Sequence, residues 1–178
     1  MKILNGKVAS EFLYEDLKKE IILHEKKRKP CLCIFLIGDD KASHTYVNAK
    51  KKKCEELGII CKIYFFEEIS EKDLIEEIEI ENKNQNTDGI IVQLPIKLNT
   101  EKILDTINPE KDVDGFSSIN YGKMSKGFED VHIPATALGI LELLNFYQIK
   151  IEGKHCVILG RGITVGSPLS ILMSMNKE

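Results

Sequence analysis

The chain has 178 residues, of which 43% are hydrophobic and 30% are charged, and this composition is typical of globular proteins. Its formal net charge is only −3 and basic residues are mixed with acidic ones, so we expect no nucleic-acid partner. No apolar run approaches the length of a membrane span, and the first residues lack the apolar core of a secretory signal. We therefore expect no membrane partner and a cytoplasmic location, with an organellar one left open.

The first half of the chain alternates predicted helices and strands. Apolar residues at helical spacing predict a first amphipathic helix that buries Val8, Phe12, Leu13, Leu17 and Ile21. It is followed by a predicted strand over 31–37, a helix over 43–57, a strand over 59–66, a helix over 70–83 and a strand over 88–92. Ser43 is the expected N-cap of the second helix, and Gly58 is its expected C-terminal stop.

A second unit of the same kind is predicted downstream. Its elements are a helix over 138–147, a strand over 155–159 and a helix over 165–175, and Thr136 could cap the first of these. Strands separated by helices of this length predict parallel pairing with right-handed crossovers, and hence a layered α/β fold. One strand and one helix cannot bury both faces of a sheet. Either a partner supplies the rest, or the chain is the front part of a longer protein.

The five cysteines predict no special chemistry. They lie at positions 31, 33, 54, 61 and 156, without a CxxC pair or a ligand spacing with the four histidines. We expect reduced thiols, mostly in the core, and no metal site.

Two candidate site residues lie on one face of the second predicted helix. Tyr46 and Lys50 are four residues apart, so their side chains lie one turn from each other. An aromatic ring can stack on a flat ligand, and a lysine amine in a cleft can act as a general base. The alternative is that Lys50, which opens a run of four lysines, belongs to a solvated helix face.

Two further polar side chains are candidates for the same site. Gln93 follows a buried strand at its carboxyl end, where parallel sheets place their ligand sites. Asp114 lies in a loop before Gly115, and a carboxylate there can accept two parallel hydrogen bonds from a planar donor edge. The alternatives are local ones: Gln93 satisfies nearby backbone groups, and Asp112 and Asp114 are turn residues that bind local amides.

A glycine-rich turn connects the last predicted strand to the last helix. Glycines at 160, 162 and 166 allow close approach of a phosphate to the backbone, and the helix N-terminus attracts that anion. Arg161 could pair with a 2′-phosphate, which favours NADP over NAD. The alternative is a tight strand–helix turn without a ligand.

Taken in order, these motifs resemble the bifunctional methylenetetrahydrofolate dehydrogenase/methenyltetrahydrofolate cyclohydrolase family. The family's Tyr-Val-x-x-Lys motif matches residues 46–50 (YVNAK), and its Gly-x-x-x-Ala-Ser lead-in matches residues 38–43 (GDDKAS). Residues 88–95 (DGIIVQLP) and 111–116 (KDVDGF) match nearly letter for letter. The agreement continues at Asn120, Gly122 and Lys123.

The resemblance implies an activity and a role for each site residue. The activity is oxidation of 5,10-methylenetetrahydrofolate with NADP, then hydrolysis of the methenyl form to 10-formyltetrahydrofolate, in one-carbon metabolism and purine biosynthesis. Tyr46 would stack on the aminobenzoate ring, Asp114 would hold the pterin, and Gln93 would position the catalytic Lys50. The implied NADP-binding residues are Gly160, Arg161, Gly162, Gly166 and Thr136.

The implied architecture is a layered parallel-sheet folate-binding domain over 1–118, followed by the start of a Rossmann-like NADP-binding domain over 119–178. The sequence departs from the family at Gly162, where Ser is usual, and at 134–137, which reads Pro-Ala-Thr-Ala instead of Pro-Cys-Thr-Pro. The family's later segments, which complete the cofactor sheet, are absent, so we expect a truncated chain. A homodimer is expected where that domain is complete.

Two other functions stay open at this point. The chain could be a folate-binding or regulatory remnant without turnover, or an unrelated nucleotide-binding α/β module.

Overall fold

The structure is a computed structural model that describes residues 3–24 and 28–175. Its helices and strands are, in chain order, α1 (Gly6–His24), β1 (Cys31–Ile37), α2 (Lys41–Leu57), β2 (Ile60–Phe66), α3 (Glu71–Lys83), β3 (Gly89–Val92), α4 (Thr100–Thr106), α5 (Ser118–Ser125), α6 (Ala135–Phe146) and α7 (Gly166–Ser174). The predicted elements of the first half are all present, and the bounds predicted for them differ from the observed ones by at most two residues. The short helices α4 and α5 were not predicted.

The three strands form one parallel sheet in the order β2-β1-β3. Cys31 pairs with Ile60 on one side of β1, and Leu32 pairs with Gly89 on the other. Apolar side chains pack on both faces of β1, which explains why its sequence is continuously apolar rather than alternating. The predicted α/β class and parallel pairing are confirmed.

Helices cover both faces of this sheet. On one face, Phe35 and Ile90 of the strands pack with Ile78 of α3 and Ile103 of α4 in the larger apolar cluster. On the other face, Ile34 and its neighbours pack with residues that include Val47 of α2. The face under α2 is the one that positions the candidate site.

The first helix is confirmed, but most of its predicted buried face is exposed. It buries Ala9 and Ile21. The other predicted core residues of α1 keep a large exposed fraction, and they are Val8, Phe12, Leu13 and Leu17. The helix packs mainly along α2 and α6, and these cover only a narrow strip of it.

The predicted cap of α2 is corrected by the structure. The Asp40 carboxylate accepts a hydrogen bond from the backbone N–H of Ser43 at 2.7 Å, so Asp40 is the N-cap and Ser43 is buried in the first turn. A carboxylate is favoured here because the first amides of a helix lack intrahelical partners. Gly58 ends the helix with a φ of 78°, as predicted.

The second unit departs further from prediction. Pro134, not Thr136, stands at the N-cap of α6, and no side chain caps that helix. The predicted strand over 155–159 is not formed in this described part of the chain. Its apolar residues are instead exposed, Val157 by 70% and Leu159 by 96%. The physical reason is that a strand needs a hydrogen-bonded neighbour, and no described strand pairs with this segment.

A buried carboxylate joins α3 to the sheet and to the loop that follows it. Glu81 accepts hydrogen bonds from the hydroxyls of Tyr64 (2.7 Å) and Thr87, and its carboxylate is 3.6 Å from the amine of Lys62. Burial by itself would raise the pKa of Glu81, but the hydrogen bonds and the Lys62 cation together hold it below its ordinary value.

Two properties of the described residues bear on the expected partners. Among the helices of residues 3–24 and 28–175, none combines the length and apolar character that crossing a bilayer requires. Within the same ranges, no cluster of three or more His, Cys, Asp or Glu side chains could hold a metal ion. The cysteine thiols are all free, and Cys31, Cys33 and Cys54 are buried.

Candidate active site

The candidate site lies where β1 and β3 end and α2 runs past them. Gln93 directly follows β3, and its backbone N–H donates to the carbonyl of Phe35 in β1 at 2.9 Å. The residue is therefore held at the carboxyl edge of the sheet, which is where open parallel sheets leave room for a ligand.

Helix α2 presents Tyr46 and Lys50 at this edge. Val47, on the buried side of the helix, is 1% exposed and anchors it to the sheet. Tyr46 is 63% exposed, so its ring is open to a stacking partner. Lys50 is half-buried, and its Nζ lies 5.6 Å from the centroid of the Tyr46 ring, within the range of a cation–π contact.

The amide of Gln93 holds the amine of Lys50. The Nζ of Lys50 donates to Oε1 of Gln93 at 3.2 Å, and Nε2 of Gln93 donates to the Leu94 carbonyl at 2.8 Å. The Gln93 amide thus makes both kinds of contact at once, since one end binds local backbone and the other binds the lysine amine. Of the four consecutive lysines, Lys50 is the one that makes this contact.

The two aspartates of the loop have different environments. Asp112 is 1% exposed and accepts hydrogen bonds from the backbone N–H groups of Gly115 (3.0 Å) and Ser117 (2.8 Å). It is the turn residue that the local alternative describes. Asp114 is half-buried, and its carboxylate makes no hydrogen bond with any residue in the described ranges.

The electrostatics link Asp114 to the lysine. Burial raises the pKa of Asp114 above its ordinary value, the Lys50 ammonium opposes that shift, and the Asp112 carboxylate adds to it. A half-buried, unpaired carboxylate facing an amine is suited to bind a polar ligand edge. The structure thus brings Lys50, Gln93 and Asp114 into one polar site, with Tyr46 at its rim.

Gly115 fixes this loop against the segment that leads to α6. Its φ is +68°, and a Cβ at this position would lie 2.5 Å from the carbonyl oxygen of His132. Only glycine combines this conformation with so close an approach of two backbones.

The glycine-rich turn lies apart from these four residues, and no hydrogen bond or ion pair among the described residues joins it to them. A Cβ at Gly166 would lie 2.6 Å from the carbonyl carbon of Gly160, so the turn closes on itself only with glycine at 166. No side chain caps α7, but of its first three residues only Gly166 has a backbone N–H without a partner in the described ranges, because Ser167 donates to the Gly162 carbonyl and Pro168 has no N–H. Thr136 and Arg161 are exposed, and Gly162 accepts a hydrogen bond from Ser167 at 3.1 Å. The space beside Gly160 and Gly162, where a Cβ would meet nothing within 4 Å, fits close approach of a dinucleotide pyrophosphate to the backbone.

Sequence reasoning missed the supporting role of Asn120. This residue is 2% exposed, and its Nδ2 donates to Oδ2 of Asp112 at 3.0 Å. Asn120 belongs to the family match, but nothing local in the sequence shows that it contacts a residue eight positions earlier.

The fold and site define an α/β protein with a polar ligand site at the carboxyl edge of a parallel sheet and a dinucleotide-type turn beyond it. The family model described as "Tetrahydrofolate dehydrogenase/cyclohydrolase, catalytic domain" matches residues 4–114, and the one described as "Tetrahydrofolate dehydrogenase/cyclohydrolase, NAD(P)-binding domain" matches residues 134–178. The chain belongs to the tetrahydrofolate dehydrogenase/cyclohydrolase family.

Similar proteins extend the comparison. The bifunctional protein FolD of Amoebophilus asiaticus is 49% identical over 181 residues, which cover 98% of this chain and 60% of that protein. Among solved structures, the bifunctional enzyme FolD of Campylobacter jejuni superposes with a TM-score of 0.94 at 40% identity, covering 97% of this chain and 63% of that one. The Trypanosoma brucei FolD, solved with NADP cofactor and an inhibitor, has a TM-score of 0.92 at 28% identity, covering 97% and 61%. The chain thus spans about three fifths of the length of these relatives.

Proposed function

We propose that this chain acts in the oxidation of 5,10-methylenetetrahydrofolate to the 5,10-methenyl form with NADP, and in hydrolysis of that form to 10-formyltetrahydrofolate. The observation that carries the proposal is the convergence of Lys50, Gln93 and Asp114 at the sheet edge, beside the exposed ring of Tyr46. Membership of the family supports it, because the relatives named above are bifunctional enzymes of this kind.

Binding of the folate is assigned to Asp114 and Tyr46. A pterin presents an exocyclic amine beside a ring N–H, and a carboxylate accepts two parallel hydrogen bonds from such an edge. Asp114 is suited to this because its carboxylate makes no hydrogen bond within the described residues. The exposed ring of Tyr46 is available to stack on the aminobenzoate group.

The two chemical steps make different demands on these residues. Hydride transfer depends on alignment of the methylene carbon, which the contacts to Asp114 and Tyr46 supply. NADP, when bound, supplies the nicotinamide ring that accepts the hydride. In the hydrolysis, water attacks the methenyl carbon and loses one proton to the solvent, which gives a neutral hydroxyl adduct. The remaining hydroxyl proton then passes to N5 as the bond from the carbon to N5 breaks and the formyl C=O forms. Lys50, oriented by Gln93, is the group assigned to move this proton.

On the cofactor side, the turn of Gly160, Gly162 and Gly166 would hold the pyrophosphate, and Arg161 would meet the 2′-phosphate. Thr136, in the first turn of α6, is assigned to the same side. We also propose a boundary between the two domains near residue 118, a homodimer, and a cytoplasmic role in one-carbon metabolism and purine biosynthesis. Family membership is the support for these last assignments.

The test is a Lys50→Met variant with Lys52→Met as its matched control. Lys52 is an exposed member of the same lysine run, and Lys50 is the half-buried one that contacts Gln93. The rate of methenyl hydrolysis is measured as the loss of methenyltetrahydrofolate absorbance. We expect this rate to fall by about 10²–10⁴-fold in Lys50→Met. The Lys52→Met variant should keep the wild-type rate. Equal rates in the two variants would refute the role of Lys50.

Folate and cofactor binding are tested separately. The Asp114→Ala variant should bind tetrahydrofolate more weakly while its NADP affinity stays unchanged, as measured by calorimetry. A second experiment compares this chain with any longer natural product. Rates of NADP reduction and of methenyl hydrolysis, measured for both, show which steps the chain performs alone. Failure of both forms to bind tetrahydrofolate would contradict the proposed function.

A further inference from the structure

The carboxylate of Asp112 accepts hydrogen bonds from the backbone that follows Asp114 in the chain. Its Oδ1 accepts from the N–H groups of Gly115 at 3.0 Å and Phe116 at 3.4 Å, and its Oδ2 accepts from the N–H of Ser117 at 2.8 Å. One buried side chain therefore takes up three consecutive amides that follow Asp114.

Asn120 in α5 holds the same carboxylate from the other side. Its Nδ2 donates to Oδ2 of Asp112 at 3.0 Å and to the carbonyl of Pro109 at 2.9 Å. The backbone N–H of Ile90 in β3 donates to the carbonyl of Lys111 at 2.7 Å. The loop is thus tied both to a helix and to the sheet, on either side of Asp114.

These bonds decide what the Asp114 carboxylate is able to do. An aspartate in a loop ordinarily accepts a hydrogen bond from an amide about two residues further on, in an Asx-turn. For Asp114 those amides belong to Phe116 and its neighbours, and Asp112 already occupies them. The Asp114 carboxylate is consequently left without a partner among the described residues, although it is half-buried.

We propose that Asp112 and Asn120 are positioning residues, which occupy the loop amides so that the Asp114 carboxylate stays free and aimed at the pterin edge of the folate. This inference rests on the proposed function, because it assigns the support of the same folate site. Neither residue touches the ligand in this scheme, since both are almost fully buried.

The test is an Asp112→Asn variant with Asp105→Asn as its matched control. Asparagine keeps the shape of the side chain but replaces one acceptor oxygen with a donor NH₂ group. That group would face another donor, the backbone N–H of Ser117 or Phe116. Asp105 also holds the start of α5, through Ser118 N (2.6 Å) and Ser118 Oγ (2.8 Å), but it binds none of the three amides of residues 115–117 that Asp112 occupies. Calorimetry with tetrahydrofolate should show a dissociation constant raised by on the order of tenfold or more in Asp112→Asn, and within about twofold of wild type in Asp105→Asn.

The pH dependence of tetrahydrofolate binding separates positioning from a merely structural role. The charged groups that face Asp114 are Lys50 from α2 and Asp112 from its own loop, and Asp112 contributes to the raised pKa of Asp114. If ionised Asp114 binds the pterin, affinity falls as the pH drops through that pKa. Neutralising Asp112 lowers the pKa of Asp114, so the acid limb of binding should move to lower pH in Asp112→Asn. Titration of the ligand itself is common to all variants and does not alter the comparison.

Each outcome decides a different point. If the wild-type chain does not bind tetrahydrofolate, the proposed function fails and this inference fails with it. If the wild type binds and Asp112→Asn binds equally well, or more weakly with an unmoved acid limb, the inference alone is overturned. If circular dichroism shows that Asp112→Asn does not fold, Asn120→Ala replaces it, because it leaves the three backbone donors of Asp112 in place. Its dissociation constant for tetrahydrofolate should rise, and an unchanged constant would overturn the inference. Loss of folding in both variants would assign the pair to the fold and overturn the positioning role.

Discussion

Replacing Gly115 by alanine tests how the site loop is held in place. Gly115 has a φ of +68°, and a Cβ there would lie 2.5 Å from the carbonyl oxygen of His132 and 2.9 Å from both the carbonyl carbon of Ile133 and the nitrogen of Pro134. All three are backbone atoms, which cannot swing aside as the end of a side chain can. We therefore predict that Gly115→Ala destabilises the protein through two separate effects.

The expected magnitude follows from the two effects together. Placing an L-residue in the left-handed region costs about 1–2 kcal/mol. Forcing an additional methyl group into a packed site costs about 1–3 kcal/mol more. The free energy of unfolding should therefore fall by about 2–5 kcal/mol, a large share of the roughly 5–15 kcal/mol that holds a typical native protein together.

Gly127→Ala is the matched control for the conformational effect. Gly127 has a φ of +76°, but a Cβ built there has no atom within 4 Å. This variant should lose only about 1–2 kcal/mol, so the difference between the two variants isolates the steric effect.

The assay is urea unfolding of the wild type and the two variants, monitored by circular dichroism. We expect a lower midpoint for Gly115→Ala than for Gly127→Ala, with similar slopes. Equal losses in the two variants would refute the claim that the segment 132–134 crowds this position. Tetrahydrofolate affinity should also fall in Gly115→Ala, because the residue adjoins Asp114, and should be unchanged in Gly127→Ala.

Two further variants test the pKa shifts in the fold and the site. Burial raises the pKa of Asp114 above its ordinary value of 3.8, so folding favours the protonated form and this group makes the wild type less stable as the pH rises. Asp114→Asn should thus have a larger free energy of unfolding than wild type at pH 7, and this difference should vanish towards pH 3.8. Urea titrations at several pH values measure the difference, and a value that is constant with pH would contradict the prediction. Glu81→Gln should lose about 1.5–3 kcal/mol at pH 7, because the charged carboxylate binds the hydroxyls of Tyr64 and Thr87. The pKa of Glu81 lies below 4.5, so that stabilisation is lost as the pH falls below this value, and a difference from wild type that persists there would argue against the assigned charge.

Local patterns predicted the central elements of the fold well. The bounds of β1 were predicted without error, because a short apolar run between Pro30 and Gly38 has few other possible structures. Errors arose where two local solutions compete. Ser43 and Asp40 are both good N-caps, and in the structure it is the Asp40 carboxylate that accepts the hydrogen bond of a first-turn amide.

The strand predicted over 155–159 shows a different limit. Its apolar, β-branched sequence favours a strand, but the hydrogen bonds of a strand lie between segments. In the described residues nothing pairs with it, so a correct local preference does not become a strand.

The sequence by itself determined the class of fold, the family, and the types of side chain available to the site, because periodicity and motif order depend on near neighbours along the chain. Only the tertiary structure decided which of four lysines turns towards Gln93, and which of two aspartates is free to bind a ligand. Asp112 and Asp114 lie two positions apart in one loop, and local patterns allow either to be a turn residue. They differ because Asn120 and the amides after Asp114 all converge on Asp112, and such competition for hydrogen-bond partners is settled by contacts across the fold.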